Sequence, residues 1–462
     1  MEIEIPAYIL GKEIYRDKNF SEVWFDYGKE NLYQSYWAKK LFCESSISIK
    51  VPKLIPNEKY IKNLCKKLRK NQKKIKNKSV REISEIIRKV GEEMKEDAEF
   101  KEIEKLLSVL YGRSLEVVKL ETKMLIDRMI SNNEIINFQV GGIDKLEKRD
   151  PIGLIYDILA GNTAIVPIQI IYSKLCRNSD FIKIASGDPI TAVEIAKRLG
   201  NEDKHIGKSL VIAYFPGNLE DMHKLLISEA DKVVVYGGKE SVETVSKLSK
   251  KYGKEFVDHG PRRALIYCGN PENVGEKIVQ DIIPFEQTAC ISPYIIFVEK
   301  DISEMVGKQI LNASRKYSKL YPPTPNWQEV RRKENYWKEL GAAIYTNKML
   351  FKEKKDNYFR VALLPENLNI EKFENKLLAH STYRFVFLKP VENENEVIDY
   401  LKKTKLKNYI SRIGTDNILL KTYVSKNMPK ACVCEIGKLC YIAPNEKHDG
   451  YYDLLELLKS AE

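Results

Sequence analysis

Short apolar runs alternate with segments of helical period through the middle of the chain. From Pro151 the apolar runs are GLIYDIL, TAIVPIQIIYSKLC, FIKIA, SLVIAYF and KVVVYGG, and helices are predicted at 192–199 and 219–230. Continuous apolar strands that alternate with helices are typical of a parallel sheet covered on both faces. A second α/β unit is predicted from Phe256, with strands at ALIYCG, YIIFVEK, FRVALL and RFVFLKPV and helices at 274–282, 369–378 and 394–401.

The two ends of the chain have weaker patterns. The stretch up to Lys50 mixes short strand-like runs with aromatic residues, and we expect an irregular packed arm. From Ser79 to Ser131 apolar residues recur every three or four positions, which predicts helices. The final part carries the strand-like runs ILLKTYV and KACVCEI and a predicted helix from Tyr452 to Lys459.

Length and composition narrow the class of protein. A chain of 462 residues can bury two or three hydrophobic cores. No apolar run approaches the roughly 18 residues of a membrane span. The amino terminus, MEIEIPAYILGKEI, is acidic where a secretory signal is basic, so we expect a cytoplasmic protein. The eight cysteines lack the spacing of a disulfide framework and are expected to be thiols.

The net charge of +12 is concentrated in one segment. The segment from Asn57 to Arg81 contains eleven Lys or Arg residues and a single acidic residue, Glu58. Nucleic-acid binding is one alternative, but the segment contains only Tyr60 for stacking on bases. A solvated helix face is the plainer interpretation, and a docking patch for an acidic molecule is a further one.

Five segments carry candidate chemistry. Cys290 lies in FEQTACISPYIIFVEK, between a small polar turn and an apolar strand, where a thiol can be presented to a cleft. A lone cysteine is more often buried and inert. The other segments are RDPIGLIYDILAGNTAIVP from Arg149, KIASGDPITA from Lys183, VVYGG ending at Gly238, and KHDG from Lys447.

In this order and with these separations, the motifs resemble those of the aldehyde dehydrogenase superfamily. Within it they are similar to the long-chain acyl-CoA and acyl-protein thioester reductases, typified by the fatty acid reductase of bacterial luminescence. The resemblance implies an α/β fold with a Rossmann-like cofactor domain, a catalytic α/β domain and a small oligomerisation sheet. The domains expected are an arm with helices (1–145), the cofactor domain (146–255), the catalytic domain (256–425) and a carboxyl-terminal segment (426–462).

The resemblance also implies roles for individual residues. Cys290 would be the nucleophile, because a thiolate attacks a thioester readily and the acyl-cysteine remains electrophilic. The Asn162 amide and the Cys290 backbone N–H would stabilise the oxyanion. Taken alone, Asn162 is better explained as a turn residue after Gly161.

The cofactor implied is NADPH. Lys183 would reach the ribose and its phosphate, and Ser186 stands where NAD enzymes carry a Glu, which removes repulsion against a 2′-phosphate. Gly237 and Gly238 follow a strand and precede a helix, a setting that suits a phosphate, although a double glycine is also an ordinary turn.

Two histidines are candidates for proton transfer. His448 lies in the polar KHDG loop, and a surface histidine is an equal alternative. His259, in VDHGPRRALIY, could protonate the departing thiol. Its neighbour Asp258 matches the position of a general-base Glu in aldehyde oxidisers but is one methylene shorter, and pairing with Arg262 or Arg263 is expected instead. Cys432, Cys434 and Cys440 fit no standard zinc spacing, so no metal is predicted.

The resulting prediction is an NADPH-dependent reductase that converts long-chain fatty acyl thioesters to fatty aldehydes. The acyl donor would be acyl-CoA or an acyl-protein, with an acyl-protein synthetase or carrier as a possible partner, in a homo-oligomer. An aldehyde dehydrogenase that oxidises aldehyde to acid is the enzymatic alternative. A nucleic-acid-binding protein that uses residues 57–81 is the alternative from another class.

Overall fold

The computed structural model describes residues 1–325, 350–352, 359–372, 381–405 and 407–460. The chain divides into two compact units. The first comprises residues 1–112, 121–261 and 451–462, and the second comprises residues 113–120 and 262–450. Each unit is built on one sheet with helices, as the apolar runs predict. In the described part of the chain, no helix combines the length and the apolar character needed to cross a bilayer.

Ten strands form the sheet of the first unit. They are β1 (Glu2–Glu4), β2 (Ala7–Ile9), β3 (Glu13–Ile14), β4 (Phe20–Tyr27), β5 (Ile47–Leu54), β6 (Leu154–Ile158), β7 (Ser179–Ile184), β8 (Leu210–Tyr214), β9 (Lys232–Tyr236) and β10 (Glu255–His259). Strands β8-β7-β6-β9-β10 lie side by side and are parallel. This order is that of a doubly wound nucleotide-binding fold, in which the direction of winding reverses beside the first strand, here β6.

Alternate residues of these strands enter two different cores. On β6, Ile155 packs into one core, while Tyr156 and Ile158 pack into the other. Side chains of a strand alternate between faces with a period of two, so the two cores cover opposite faces of the sheet. All residues of β6 are buried, which explains why its sequence reads as an unbroken apolar run.

Helices flank this sheet, and their apolar residues contribute to both cores. They are α1 (Leu32–Phe42), α2 (Glu58–Lys76), α3 (Val80–Glu96), α4 (Ala98–Tyr111), α5 (Leu115–Ile130), α6 (Asn132–Val140), α7 (Ile143–Glu147), α8 (Ile168–Leu175), α9 (Thr191–Glu202), α10 (Lys204–Lys208), α11 (Glu220–Glu229) and α12 (Lys239–Lys251). The part of α5 up to residue 120 belongs to the second unit, and the rest of the helix belongs to the first.

The second unit contains a seven-stranded sheet. Its strands are β11 (Arg263–Cys268), β12 (Pro293–Glu299), β13 (Leu350–Lys352), β14 (Arg360–Leu363), β15 (Phe385–Val391), β16 (Ile410–Gly414) and β17 (Cys432–Cys434). The order is β13-β14-β15-β12-β11-β16-β17, parallel except for the pair β13 and β14. The later helices are α13 (Val274–Ile282), α14 (Ser303–Leu320), α15 (Glu394–Lys403), α16 (Ile418–Asn427) and, in the first unit, α17 (Asp453–Glu456).

The amino-terminal arm is more regular than its sequence predicts. Strands β4 and β5 pair antiparallel along eight residues each, from Phe20 opposite Leu54 to Tyr27 opposite Ile47. Side chains of β4 are mostly half-buried or exposed, so the strand lacks a clean apolar face. The prediction of an irregular arm was wrong for this reason.

Two predicted strands are helices. The run QIIYSKL lies in α8, where every residue is buried, and a continuous apolar run cannot distinguish a buried helix from a strand. The run ILLKTYV lies in α16, which Asn417 initiates by accepting the backbone N–H of Leu420. The terminal helix is shorter than predicted, because Leu458 forms a bridge with Pro151. Of the helix predicted at 369–378, residues 373–378 lie outside the described part.

The basic segment 57–81 forms α2 and the start of α3. Its apolar residues Ile61, Leu64 and Leu68 are buried, so α2 is amphipathic. Arg69 donates to both carboxylate oxygens of Asp231, at 2.7 and 2.9 Å. The lysines Lys66, Lys67, Lys70, Lys73 and Lys74 are exposed. The segment is therefore a packed helix with a lysine-rich solvent face.

Candidate active site

The carboxyl ends of β6, β7 and β9 bring the predicted oxyanion residue Asn162 and the predicted cofactor residues to one edge of the first sheet. Asn162 follows β6, Ser186 follows β7, and Gly237 directly follows β9. Because the winding reverses between β6 and β9, a crevice opens at this edge, where ligands bind in such sheets. Topology alone therefore collects residues that are far apart in sequence.

Two glycines allow the loops after β6 and β7 to touch through their backbones. A Cβ on Gly161 would lie 2.6 Å from the backbone N of Asp188, and one on Gly187 would lie 2.3 Å from the Gly161 carbonyl oxygen. Neither position tolerates a side chain. The Asp188 carboxylate accepts the N–H groups of Ile190 at 3.0 Å and Thr191 at 2.9 Å, and so it anchors the second loop to the start of α9.

Lys183 is a buried cation near the end of β7. Its side chain lies over the ring of Phe215, with 5.6 Å between Nζ and the ring centroid. Burial lowers the pKa of Lys183 to about 8. Among the described residues no carboxylate forms an ion pair with it. A cation held in this way is poised for an anionic group, since burial of an unpaired charge is unfavourable.

A neutral histidine, which no sequence motif singled out, lies close to this lysine. His223 Nε2 lies 3.2 Å from the Gly217 carbonyl oxygen, and Nδ1 lies 2.9 Å from the Tyr156 hydroxyl. A carbonyl oxygen only accepts, so Nε2 carries the proton and Nδ1 accepts from Tyr156. Burial, with the Lys183 charge, lowers the pKa of His223 to about 4. Of these two residues, Lys183 is thus the one that carries a positive charge at neutral pH.

Two of the remaining predicted cofactor residues, Ser186 and Gly238, border open space. Ser186 is exposed, and its carbonyl oxygen accepts the hydroxyl of Tyr27. A Cβ on Gly238 would meet nothing within 4 Å. Gly238 begins α12 without a side-chain cap, so the first N–H groups of this helix suit an anion. The edge as a whole fits a phosphate-bearing cofactor.

His259 and Asp258 end β10, beside β9. The His259 ring stacks on Tyr236, its partner in register, with 4.3 Å between ring centroids. Only 6% of His259 is exposed. Asp258 Oδ1 accepts the Tyr451 hydroxyl at 3.2 Å. Packing thus holds both residues, and their roles in proton transfer stay predictions.

Cys290 lies in the turn before β12, in the second unit. The 3₁₀ turn Pro284–Gln287 leads into it, and Phe285, Glu286 and Gln287 have φ of +60°, +46° and +59°. Non-glycine residues rarely adopt this left-handed region, and each costs about 1–3 kcal/mol. Three in succession require strong support from their surroundings.

A buried ion pair supplies that support. Arg384 donates from Nε and Nη2 to the two carboxylate oxygens of Glu286, at 2.8 and 2.6 Å. The Tyr383 backbone N–H donates to the Glu286 carbonyl oxygen at 2.8 Å. Tyr383 and Arg384 also have positive φ, of +52° and +63°. Glu286 and Arg384 are 98 positions apart, and no pattern in the sequence signalled their pairing.

Other contacts complete the loop. Thr288 Oγ1 donates to the Phe285 carbonyl oxygen at 2.7 Å and accepts from Arg113. Arg263 is the first residue of β11. The residue after it, Ala264, pairs with Pro293 of β12, which lies three positions after Cys290 in the sequence. Burial lowers the pKa of Arg263, and an ionised Cys290 raises it. The guanidinium of Arg263, which sequence reasoning assigned no role at the nucleophile, therefore lies within electrostatic range of the thiol.

His448 belongs to the same unit and contacts its neighbour in the KHDG loop. Its Nε2 lies 3.5 Å from Asp449 Oδ2, and Arg262 Nε lies 3.7 Å from Asp449 Oδ1. Asp449 is buried and has a φ of +53°. The loop is thus a fixed polar turn.

The eight cysteines are free thiols, and most are unsuited to nucleophilic attack. Burial raises the pKa of six of them: Cys65, Cys176, Cys268, Cys432, Cys434 and Cys440. Cys290 is partly exposed and Cys43 is exposed. Cys432 and Cys434 lie on β17, paired with β16, as their apolar neighbours indicated. Cys290 is therefore the accessible thiol on a tightly constructed loop.

This architecture is the fold of the aldehyde dehydrogenases. Aldehyde dehydrogenase 21 of Physcomitrella patens, solved with the reaction product succinate, has a TM-score of 0.71 at 14% identity and covers 99% of this chain and 97% of its own. Lactaldehyde dehydrogenase of Escherichia coli has a TM-score of 0.69 at 14% identity and covers 99% and 98%. The NADP-dependent glyceraldehyde-3-phosphate dehydrogenase of Bacillus halodurans, solved with NADP, has a TM-score of 0.68 at 12% identity and covers 99% and 98%.

Within this fold the sequence identifies one family. The sequence model of the acyl-CoA reductase (LuxC) family matches residues 61–460, and the chain belongs to that family. The long-chain acyl-protein thioester reductase of Photobacterium phosphoreum is 25% identical over 232 residues, which are 46% of this chain. The match spans about half of that relative, 47% of its length. The predicted fold and family are confirmed.

Proposed function

We propose that this protein reduces long-chain fatty acyl thioesters to fatty aldehydes with NADPH, through an acyl-cysteine on Cys290. Membership of the acyl-CoA reductase family supports the reaction type. The observation that carries the proposal is the Cys290 loop, where a partly exposed thiol follows a strained and firmly held turn. Of six other thiols five are buried and Cys432 is half-buried, and all six have raised pKa values, so they are poor alternatives.

The first half of the reaction forms the acyl-enzyme. The Cys290 thiolate attacks the carbonyl carbon of the thioester, and the tetrahedral oxyanion accepts hydrogen bonds from the Asn162 amide and the Cys290 backbone N–H. The oxyanion then collapses, the bond to the donor sulfur breaks, and the donor thiolate takes up a proton. His259 and His448 are the proposed sources of that proton.

The second half needs a reductant. A nicotinamide cofactor, when bound, supplies the hydride that displaces Cys290 from the acyl carbon, so that aldehyde and thiolate are released. Lys183 would hold the cofactor through its charge, and Gly237 and Gly238 would let its phosphates approach α12. The NADP complex of the B. halodurans enzyme supports a nicotinamide cofactor in this fold. Lys183 and Ser186 favour NADPH over NADH, because no carboxylate at position 186 opposes a 2′-phosphate.

The donor is proposed to be acyl-CoA or an acyl-protein. The name of the P. phosphoreum relative supports an acyl-protein, and a synthetase or carrier would then be a partner. We further propose that the protein is a cytoplasmic homo-oligomer, as its similarity to these reductases implies.

Oxidation of aldehyde to acid is a second candidate function, and Asp258 is the observation that favours it. Its carboxylate matches the position of a general base in aldehyde oxidisers. The Tyr451 hydroxyl donates to one of its carboxylate oxygens, at 3.2 Å.

One assay separates these functions. The protein is mixed with NADPH and a long-chain acyl-CoA, and loss of NADPH absorbance is followed together with aldehyde. Reduction that requires the acyl-CoA supports the proposal. Oxidation of a long-chain aldehyde to free acid that disappears in Asp258→Asn, with no reduction of acyl-CoA, would support the second candidate instead.

A further inference from the structure

We infer that the buried Glu286–Arg384 ion pair positions the Cys290 nucleophile. In this account it holds the left-handed turn that precedes Cys290, and so fixes the direction of the thiol and of the backbone N–H at the same residue. The inference deepens the proposed function, since it rests on Cys290 being the nucleophile.

Three bonds join Glu286 to two consecutive residues before β15. Both carboxylate oxygens accept from Arg384, and the Glu286 carbonyl oxygen accepts from the Tyr383 N–H. Only 1% of the Arg384 side chain and 3% of the Glu286 side chain are exposed. A bidentate pair fixes the orientation of both partners, whereas a single contact fixes a distance alone.

The two joined segments are both strained. Glu286 lies at the centre of three residues with positive φ, and Tyr383 and Arg384 are a second pair of this kind. Such conformations persist only where surrounding contacts over-determine them, and they concentrate at functional sites. Loss of the pair would let residues 285–287 relax towards ordinary φ values, and Cys290, four positions later, would move with them.

A role in stability alone would not require this arrangement. A buried ion pair contributes little net stability compared with apolar side chains of similar size, because both charges lose their hydration. What the pair provides is a fixed geometry. Misplacement of a reacting group by about 1 Å can lower a rate on the order of a hundredfold.

The test uses two variants that keep side-chain size. Glu286→Gln removes the negative charge. Arg384→Lys keeps the positive charge but loses the guanidinium group that donates two hydrogen bonds to Glu286. The rate of Cys290 alkylation by iodoacetamide is measured against pH by mass spectrometry of the peptide that contains Cys290. The acyl-CoA reductase kcat and the NADPH dissociation constant are measured on the same samples, and far-UV circular dichroism reports the folded fraction. If one variant fails to fold, the other carries the test.

The control is a second Arg–Glu pair in the same unit, in which the arginine is buried and the glutamate is half-buried. Arg412 lies 3.0 Å from Glu446, away from the Cys290 loop in sequence, and Arg412→Lys and Glu446→Gln make the same chemical changes. We expect Glu286→Gln and Arg384→Lys to lower the alkylation rate and kcat on the order of tenfold, with NADPH binding unchanged. The control variants should keep the wild-type alkylation rate and pH profile.

Two outcomes would overturn the inference. One is a Cys290 alkylation rate within about twofold of wild type in both folded variants, Glu286→Gln and Arg384→Lys. The other is an equal fall of the alkylation rate in the two control variants. Failure of the proposed function looks different. In that case iodoacetamide alkylates wild-type Cys290 readily, but Cys290 accepts no acyl group from acyl-CoA. The effect of the Glu286–Arg384 ion pair on alkylation is still measurable.

Discussion

The carboxyl edge of the first sheet and the Cys290 loop of the second unit hold their candidate functional residues by different means. At the sheet edge, adjacent parallel strands bring Asn162, Ser186 and Gly237 together, and the loops lie in ordinary conformations. At the Cys290 loop, a buried ion pair and five residues with positive φ set the geometry. One site follows from topology and the other from local strain held by a distant contact.

This difference predicts how the two sites respond to change. The sheet edge is formed by many strands, so a single substitution there should alter affinity and specificity while the site persists. The Cys290 loop depends on a few contacts, so single substitutions should alter reactivity. The predictions below test this contrast, from the largest expected effect to the smallest.

Replacement of the nucleophile should have the largest effect. We expect Cys290→Ala and Cys290→Ser to lower the reductase rate on the order of a thousandfold or more, because the covalent intermediate cannot form. NADPH binding, followed by fluorescence titration, should not change. Cys43→Ser, at the exposed thiol, is the matched control and should keep full activity. Substantial activity in Cys290→Ala would remove the distinction between the two regions.

A carboxylate introduced at the sheet edge should change specificity rather than abolish activity. Ser186 is exposed after β7, and Ser186→Glu places negative charge where a 2′-phosphate is proposed. We expect the ratio of kcat/KM for NADPH to that for NADH to fall by about tenfold or more, which is about 1.4 kcal/mol. Ser45→Glu, at another exposed serine of the first unit, should leave the ratio unchanged. An unchanged ratio in Ser186→Glu would exclude position 186 from the cofactor site.

The titration of Lys183 should appear in cofactor binding. Its pKa of about 8 means that the free site loses its positive charge as the pH rises through that value. The NADPH dissociation constant should therefore rise above pH 8, towards about tenfold per pH unit, because binding then requires uptake of a proton. Lys183→Arg should flatten this rise, and NADH should show less of it. Equal pH profiles of the dissociation constants for the two cofactors would show that Lys183 does not bind the 2′-phosphate.

The exposed face of α2 should contribute the smallest effect. If this face docks an acidic donor, reversal of Lys66, Lys70, Lys73 and Lys74 to Glu should raise KM for the acyl donor a few-fold at low salt and leave kcat alone. High salt should remove the difference. The control reverses four exposed lysines of the second unit, Lys319, Lys403, Lys405 and Lys426. Wild-type kinetics in the α2 variant would leave this face as a solvated surface.

The sheet edge could be predicted from the sequence because its signals are local. Each strand of the central sheet is a short apolar run, and Asn162, Lys183 and Gly237 follow or end such runs. Parallel pairing then places them at one edge without knowledge of any side-chain contact. The two wrong strand predictions, α8 and α16, were also apolar runs, which shows the limit of this signal. Every residue of α8 is buried, whereas Ile418 and Leu419 of α16 are apolar but exposed.

The support of Cys290 could not be predicted in the same way. The cysteine itself stands out by its motif, but Glu286 reads as an ordinary acidic residue four positions before it. Its partner Arg384 lies in another segment, and backbone strain leaves no trace in composition. Contacts between distant residues of opposite charge are too numerous in a chain with 31% charged residues to be chosen from sequence alone.

The fate of an acyl group in the absence of NADPH tests the central claim most directly. Radiolabelled long-chain acyl-CoA is added to the protein without cofactor, and protein-bound label, free acid and free CoA are followed in time. The account predicts about one label per chain at saturation, located on Cys290, with slow release of free acid and prompt conversion to aldehyde when NADPH is added. Rapid hydrolysis to free acid without accumulation of label, or label on another cysteine, would contradict it.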